Sequence, residues 1–434
     1  MGSLAGTAAI FAAAGYLGGY QSGVQVKPPV EETTTATTTA APIKLGSMNP
    51  LTGFDASNGQ EMHRGTELAI NEINAQGGIL GRKIEWYELD TGEFTADVTM
   101  ACIDTLATKY NIDFAVYGYA PVYGPSYERW AQYDVPFLHV DTVQEFVDWV
   151  NNNPSEAWLG WMACPPEPFY GTGLPLLLDR IIESGAWKPA TKTAAVLRGE
   201  DSYGQRIAAG FIEEIKKRGW SITLDETVTF GTVEYGPFLT KVRSNPPDIV
   251  VNTDYISSDY AAFVKQFTDN PTPSLMYGQW APSAPEFIQL LGDKANGIIW
   301  STLVGPLTRA GAPYQDAITE VWYNKYKVAY NAEPGDQGAI CYDMTWMWAN
   351  ATMIAGTTDK RAVTDVLSKM VYRGACGTYR FNKEHYPNPY PSVEKDPSLG
   401  LSHQWLQIQG QKHRIISPEL YAGAQFELPW WFKR

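Results

Sequence analysis

The sequence predicts an α/β protein of two doubly wound lobes joined by a hinge that the chain crosses three times. Short apolar runs alternate with segments of helical period twice in succession, over 43–163 and again over 192–301. Three helical segments without strands between them follow at 314–330, 337–355 and 360–371, and then extended stretches at 376–381 and 404–408. Junctions rich in Pro and Gly, "ACPPEP" at 163–168, "LVGP" at 303–306 and "RGACGTYRF" at 373–381, stand where the chain would pass between lobes. Lobes joined in this way close on a ligand by bending at the hinge.

The opening unit reads strand, helix, strand. Ile43, Leu45 and Met48 make an apolar run stopped by Asn49-Pro50. Asn58, with Glu61 three residues on, is expected to cap a helix whose packing face is Met62, Gly65, Ala69 and Ile73. Gly77-Gly78 ends it, and 83–87 alternates as a second strand. Ligands of such units collect outside the carboxyl ends of the strands, so the turn at 49–58 points at a binding site although it holds no nucleophile, metal cluster or phosphate loop. The first lobe continues with a helix at 95–109, a strand at 113–117, a helix at 124–132, a strand at 135–140 and an extended stretch at 157–163. The second has strands at 192–197, 222–228, 249–252, 274–277 and 297–301, with helices at 203–218, 236–243 and 258–269. The expected division is a leader and tether at 1–42, a first lobe of 43–162 with 304–373, and a second of 163–303 with 374–434.

Composition narrows the function. At 434 residues and 44% hydrophobic the chain can fill two cores, and a formal charge of −14 argues against nucleic acid, whose binding needs clustered Lys and Arg. The four cysteines, Cys102, Cys164, Cys341 and Cys376, include no CxxC pair; either one or two disulfides or buried free thiols fit them. The histidines at 63, 139, 385, 403 and 413 have no metal-site spacing, and no cofactor is expected. A nucleotide-dependent α/β enzyme is the competing class, but GxGxxG, GxxxxGK[ST], HExxH and GxSxG are all absent. Residues 4–20 are small and apolar, as in the core of an export signal or an anchor, and the Thr-rich run at 31–42 has no apolar face and reads as a disordered tether.

The stretch "IKLGSMNPLTG…ASNGQEMHRGTELAINEINAQGGILGRKIE" resembles the N-terminal signature of the extracytoplasmic solute-binding proteins of branched-chain amino acid and amide ABC importers. The similarity continues, in the family's order, through "DSYGQRIAAGF" from Asp201, "PPDIVV" from Pro246, "PEFIQLLGDKANGII" from Pro285, "ICYDMTWMWANA" from Ile340 and "YRGACGTYRFN" from Tyr372. The C-terminus is similar to an extended subset of that family. The resemblance implies a periplasmic-binding-protein fold of type I and a small solute held between the lobes without chemistry. It further implies delivery to a permease and ATPase on other chains, a monomer, and a place outside the cytoplasm. A receptor-like sensor with the same clamp fits the resemblance as well.

The resemblance also marks site residues. The loop that supplies ligand-carboxylate donors in the family is "YGYAPVYGP" at 117–125, where Tyr119, Ala120 and Tyr123 stand among displaced small hydroxyl residues. His139, Asp141 and Thr142 fall in the loop that holds the ligand amine, and Tyr203 matches the tyrosine of the family's YG motif. Gln279 and Trp280 replace the expected acid. From the residues themselves, Asp254 and Tyr255 end a strand on the cleft side, where Asp254 is equally at home as a turn former. Trp161 and Trp280 either stack on the ligand or fill the core, and Trp346 and Trp348 are expected in the core. A branched-chain or related amino acid ranks first as ligand by family frequency. An amide, a urea-like solute or an aromatic carboxylate suits the aromatic substitutions.

Overall fold

In the computed structural model the described residues are 41–93, 95–120, 122–307 and 316–433. The expected leader and the body of the Thr-rich tether lie outside them. The first lobe is a five-stranded parallel sheet in the order Ile84–Asp90, Ile43–Asn49, Phe114–Tyr117, Phe137–His139, Gly160–Met162. Each crossover carries a helix or helical turn, so the central strands are covered on both faces and are apolar almost throughout.

The second lobe has a seven-stranded sheet in the order Lys412–Ser417, Gln404–Gln409, Ile299–Thr302, Leu275–Gly278, Ile249–Asn252, Thr193–Gly199, Ser221–Val228. Five strands are parallel; the Gln404–Gln409 and Lys412–Ser417 hairpin adds to Ile299–Thr302 in the antiparallel sense. The C-terminal segment packs on this lobe, where Trp431 is buried and its indole N–H donates to the Ser274 carbonyl at 2.9 Å.

Helices Ala317–Tyr330, Asp336–Ala355 and Lys360–Leu367 return to the first lobe and share a core with Ile43, Leu45 and Val116. Helices Ala56–Ala75 and Asp336–Ala355 cross closely: a Cβ on Gly65 would stand 2.2 Å from the Gly338 carbonyl oxygen, so they meet only because that side chain is a hydrogen. At the N-terminus of Asp336–Ala355 the N-cap residue Gly335 offers no side chain. Glu61 serves instead: its carboxylate accepts from Gly335 N at 2.8 Å and from Gly338 N at 3.4 Å, while the Tyr326 hydroxyl donates to it at 3.3 Å.

Two sequence expectations need correction. Asn58 does not cap the first helix, which begins at Ala56 with Asp55 at the N-cap position; Glu61 is turned away into the neighbouring helix end. The boundary at 374 also moves. Cys376, Tyr379, Phe381 and Leu401 are buried in the first-lobe core, His385 stacks on Trp161 with ring centroids 3.9 Å apart, and a four-stranded sheet spans this region. The third crossing therefore falls between Leu401–Ser402 and Gln404–Gln409. Spacing in sequence shows that 376–381 is extended but carries no sign of which core its apolar face joins. The chain also passes between the two sheets near 163–168 and 303–306.

All four cysteines are free and buried. Trp348 is buried in the core and stacks on Phe114, as expected of its place on an apolar helix.

Candidate functional site: a cavity between the lobes

The carboxyl ends of both parallel sheets face a common cavity lined by residues of both lobes. Polar contacts cross between the lobes, among them the Gln144 N–H donating to Glu167 at 2.6 Å. Arg206, on helix Ser202–Lys217, pairs with Glu145 of the first lobe at 3.0 Å and reaches Glu167 at 3.5 Å; Ser57 lies 3.4 Å from Glu286.

The first-lobe wall is built from the strand ends. Asn49 closes the first strand, accepts from Gly118 N at 2.8 Å and donates to Glu88 at 2.7 Å, fixing the loop that follows Phe114–Tyr117. Gly118 has no room for a side chain, because a Cβ would meet the Met62 sulfur at 2.1 Å. Tyr119 and Tyr123 then project to the cavity, and the Tyr119 hydroxyl accepts from Gln337 Nε2 at 2.6 Å. Asp141, almost fully buried, accepts weakly from Ala120 N at 3.3 Å and stands 3.5 Å from His139 Nδ1. Burial pushes its carboxyl up, and His139 and the Ala120 N–H oppose that. Asp55, in the first turn, accepts from Asn58 at 2.7 Å; burial raises its pKa to about 7, and Glu286 adds to the shift.

The second-lobe wall is aromatic. Asp201 caps helix Ser202–Lys217 by accepting from Gly204 N at 2.9 Å, which places Tyr203 on the cavity. Tyr203 lies edge to face with Tyr255 at 5.5 Å and with Tyr170 at 6.3 Å. Its hydroxyl accepts from Gln279 Nε2 at 2.8 Å, and Gln279 accepts in turn from Tyr277. Trp280 has φ +60, a left-handed conformation costly for a bulky residue, held by Gln279 N to Asn252 O at 2.9 Å and Ala281 N to Gln279 O at 2.6 Å.

Of the residues singled out from sequence, Tyr119, Tyr123, Asp141, Thr142, Tyr203, Tyr255 and Trp280 line the cavity. Four stand behind it. Ala120 contributes its N–H to Asp141; His139 is fully buried among Tyr117, Tyr127 and Phe146; Asp254 is buried and accepts from Ile256 N at 2.9 Å; and Gln279 positions Tyr203. Trp161 is core, stacked on His385. Sequence reasoning missed Asp55, Asn58, Tyr170, Asp201 and Gln337 as wall residues. Asp55 and Asn58 lie in the turn already flagged as pointing at a site, and Tyr170 follows the first hinge junction; Gln337 had no signal in sequence. Among the described residues no group of His, Cys, Asp and Glu could hold a metal ion, and no helix is long and apolar enough to cross a membrane.

The profile of the family described as "Periplasmic binding protein" matches residues 42–389. The chain belongs to that family. It resembles a Silicibacter pomeroyi protein, assigned to a branched-chain amino acid ABC transporter, with 31% identity and a TM-score of 0.83 over 90% of this chain and 100% of that one. It shares its fold with the Streptococcus pneumoniae branched-chain amino acid transporter substrate-binding protein solved with isoleucine, at 20% identity and a TM-score of 0.69 over 87% of this chain and 100% of that one. The Brucella abortus "Leu/Ile/Val-binding protein homolog 8" is 24% identical over 233 residues, 52% of this chain and 55% of the relative. The chain thus spans about half the length of the curated relatives it matches. Its type I periplasmic binding architecture and its kinship with transporter substrate-binding proteins follow from the family match and the shared fold.

Proposed function

We propose that this chain is the extracytoplasmic solute-binding component of an ABC importer, which holds a small organic solute between its lobes, leaves it chemically unaltered and presents it to a permease with its ATPase. The observation that carries the reading is a cavity walled from both lobes, with Tyr119, Tyr123 and Asp141 on one side and Tyr203, Tyr255 and Trp280 on the other. A solute touching both walls favours the closed form through its differential affinity, and a permease can read that difference. The carboxylates on the wall favour a solute that carries an amine, of which a branched-chain or related amino acid is the reference case. Thermal-shift assays across amino acids, amides, urea-like solutes and aromatic acids test the reading. At least one compound should raise Tm, because a ligand of the native state alone stabilises it by mass action. A flat response across the panel, with the scattering radius unchanged by every compound, refutes it.

A further inference from the structure

We propose that the solute is an organic monocation, with an alkylammonium head seated among the cleft tyrosines and Trp280 and set against Asp55, Asp141 and Asp201. The proposal rests on the solute-clamp reading above and specifies its substrate class.

Charge is the first ground. Asp55, Asp141 and Asp201 line the cavity, while none of its lining side chains among the described residues is lysine, arginine or histidine. Arg206, which pairs across the lobes, is committed to Glu145 and Glu167. His139 sits behind Asp141, 3.5 Å from its carboxylate, and does not line the cavity. An anionic solute would be buried beside carboxylates with no positive partner, whereas a cation compensates their desolvation.

Wall chemistry is the second ground. Tyr119, Tyr123, Tyr170, Tyr203, Tyr255 and Trp280 surround the space, and the edge-to-face chain Tyr170, Tyr203, Tyr255 turns successive ring faces in different directions. Several rings around a carboxylate-bearing pocket are the arrangement that attracts substituted ammonium groups through the ring quadrupole.

The third ground is independent of charge. Gln337 is buried at 3% exposure and lines the cavity; its Nε2 is used by Tyr119, but its Oε1 has no partner. An acceptor left open beside carboxylates calls for a donor from the solute. The buried Trp280 indole N–H is likewise unpartnered and suits a neutral acceptor such as a hydroxyl at the other end of the solute.

The test is isothermal titration of the full chain with choline, ethanolamine, the neutral carbon isostere 3,3-dimethyl-1-butanol, leucine and benzoate. At least one of the two cations should bind about tenfold or more tighter than the isostere, leucine and benzoate, the size expected of a desolvated cation–π site. Tyr255→Leu and Asp141→Asn should each weaken that cation by about tenfold, and by several-fold more than either weakens the isostere. Leucine or benzoate binding tightest, or the isostere matching choline, overturns the monocation and leaves the solute clamp standing. Silence from all five compounds, together with a flat thermal-shift panel, overturns both.

Discussion

Replacing Glu61 tests whether a helix start can be capped from a neighbouring helix. Its carboxylate is the acceptor for Gly335 N, Gly338 N and the Tyr326 hydroxyl, all within 3.4 Å, and the side chain is 6% exposed. In Glu61→Ala the two N–H groups and the hydroxyl lose that acceptor. At ~1–3 kcal/mol per buried unsatisfied group, and with partial relief by water, a net loss of about 3 kcal/mol follows. The folded body Ala40–Arg434 has 434 − 40 + 1 = 395 residues. An unfolding entropy of ~2.1 cal/mol/K per residue gives about 0.8 kcal/mol/K for that body, so Tm should drop by about 4 °C. Glu61→Gln adds a sign that the alanine change lacks. Burial raises the Glu61 pKa from 4.5 to about 7, outweighing the backbone donors, so between those values the native state binds more protons than the unfolded chain. Wild-type stability is then lost as pH rises through that window, by about 3 kcal/mol for a shift of this size. Glutamine cannot ionise. Calorimetry at pH 5 and pH 8 should therefore show the Gln variant gaining on wild type as pH rises. An Ala variant melting within 1 °C of wild type, or a Gln-minus-wild-type difference that ignores pH, refutes the reasoning.

Gly65→Ala should lower Tm by a few degrees without altering the purified protein's helicity, since overpacking costs ~1–3 kcal/mol where the added Cβ meets the Gly338 carbonyl at 2.2 Å; thermal unfolding monitored by circular dichroism reads it. Tyr203→Ala should weaken whichever solute binds by about tenfold or more and also lower stability by ~3–5 kcal/mol, because its ring packs with Tyr170, Ile207, Trp280 and Leu303; titration of the folded variant, checked by circular dichroism, reads the first and denaturation the second. Thiol titration should find Cys102, Cys164, Cys341 and Cys376 inert in the native state and all four reactive in denaturant, with reductant leaving Tm unchanged, because each is a buried free thiol whose pKa burial raises. Ligand-free protein should be most stable near pH 5 and lose stability towards pH 8, since Glu167 and Asp254 are also raised by burial, to about 8 and about 7.

The alternation of apolar strands and amphipathic helices was legible because the central strands are covered on both faces and most helices on one, so burial is written as period. Met62, Gly65, Ala69 and Ile73 all face inward on the first helix, as their spacing demands. Destination was harder to read. Tyr379 and Phe381 look like any extended aromatic pair, and only three-dimensional packing assigns them to the first lobe. At the site, residues next to strand ends could be found because that position is general to open α/β sheets. His139 and Gln279 occupy such positions too, yet one turns into an aromatic cluster and the other stands behind Tyr203, a difference of side-chain direction that periodicity in these short loops does not encode. Gln337 reaches the cavity from a helix over two hundred residues downstream of Tyr119, a separation no local pattern bridges.

Arg206 sits where the two halves meet, bridging Glu145 and Glu167 with a side chain about one-third exposed. Parting the halves must break that bridge, so mobile ions compete with it for the guanidinium in proportion to their concentration. On the proposed solute clamp, added salt then favours the parted form over the shut one.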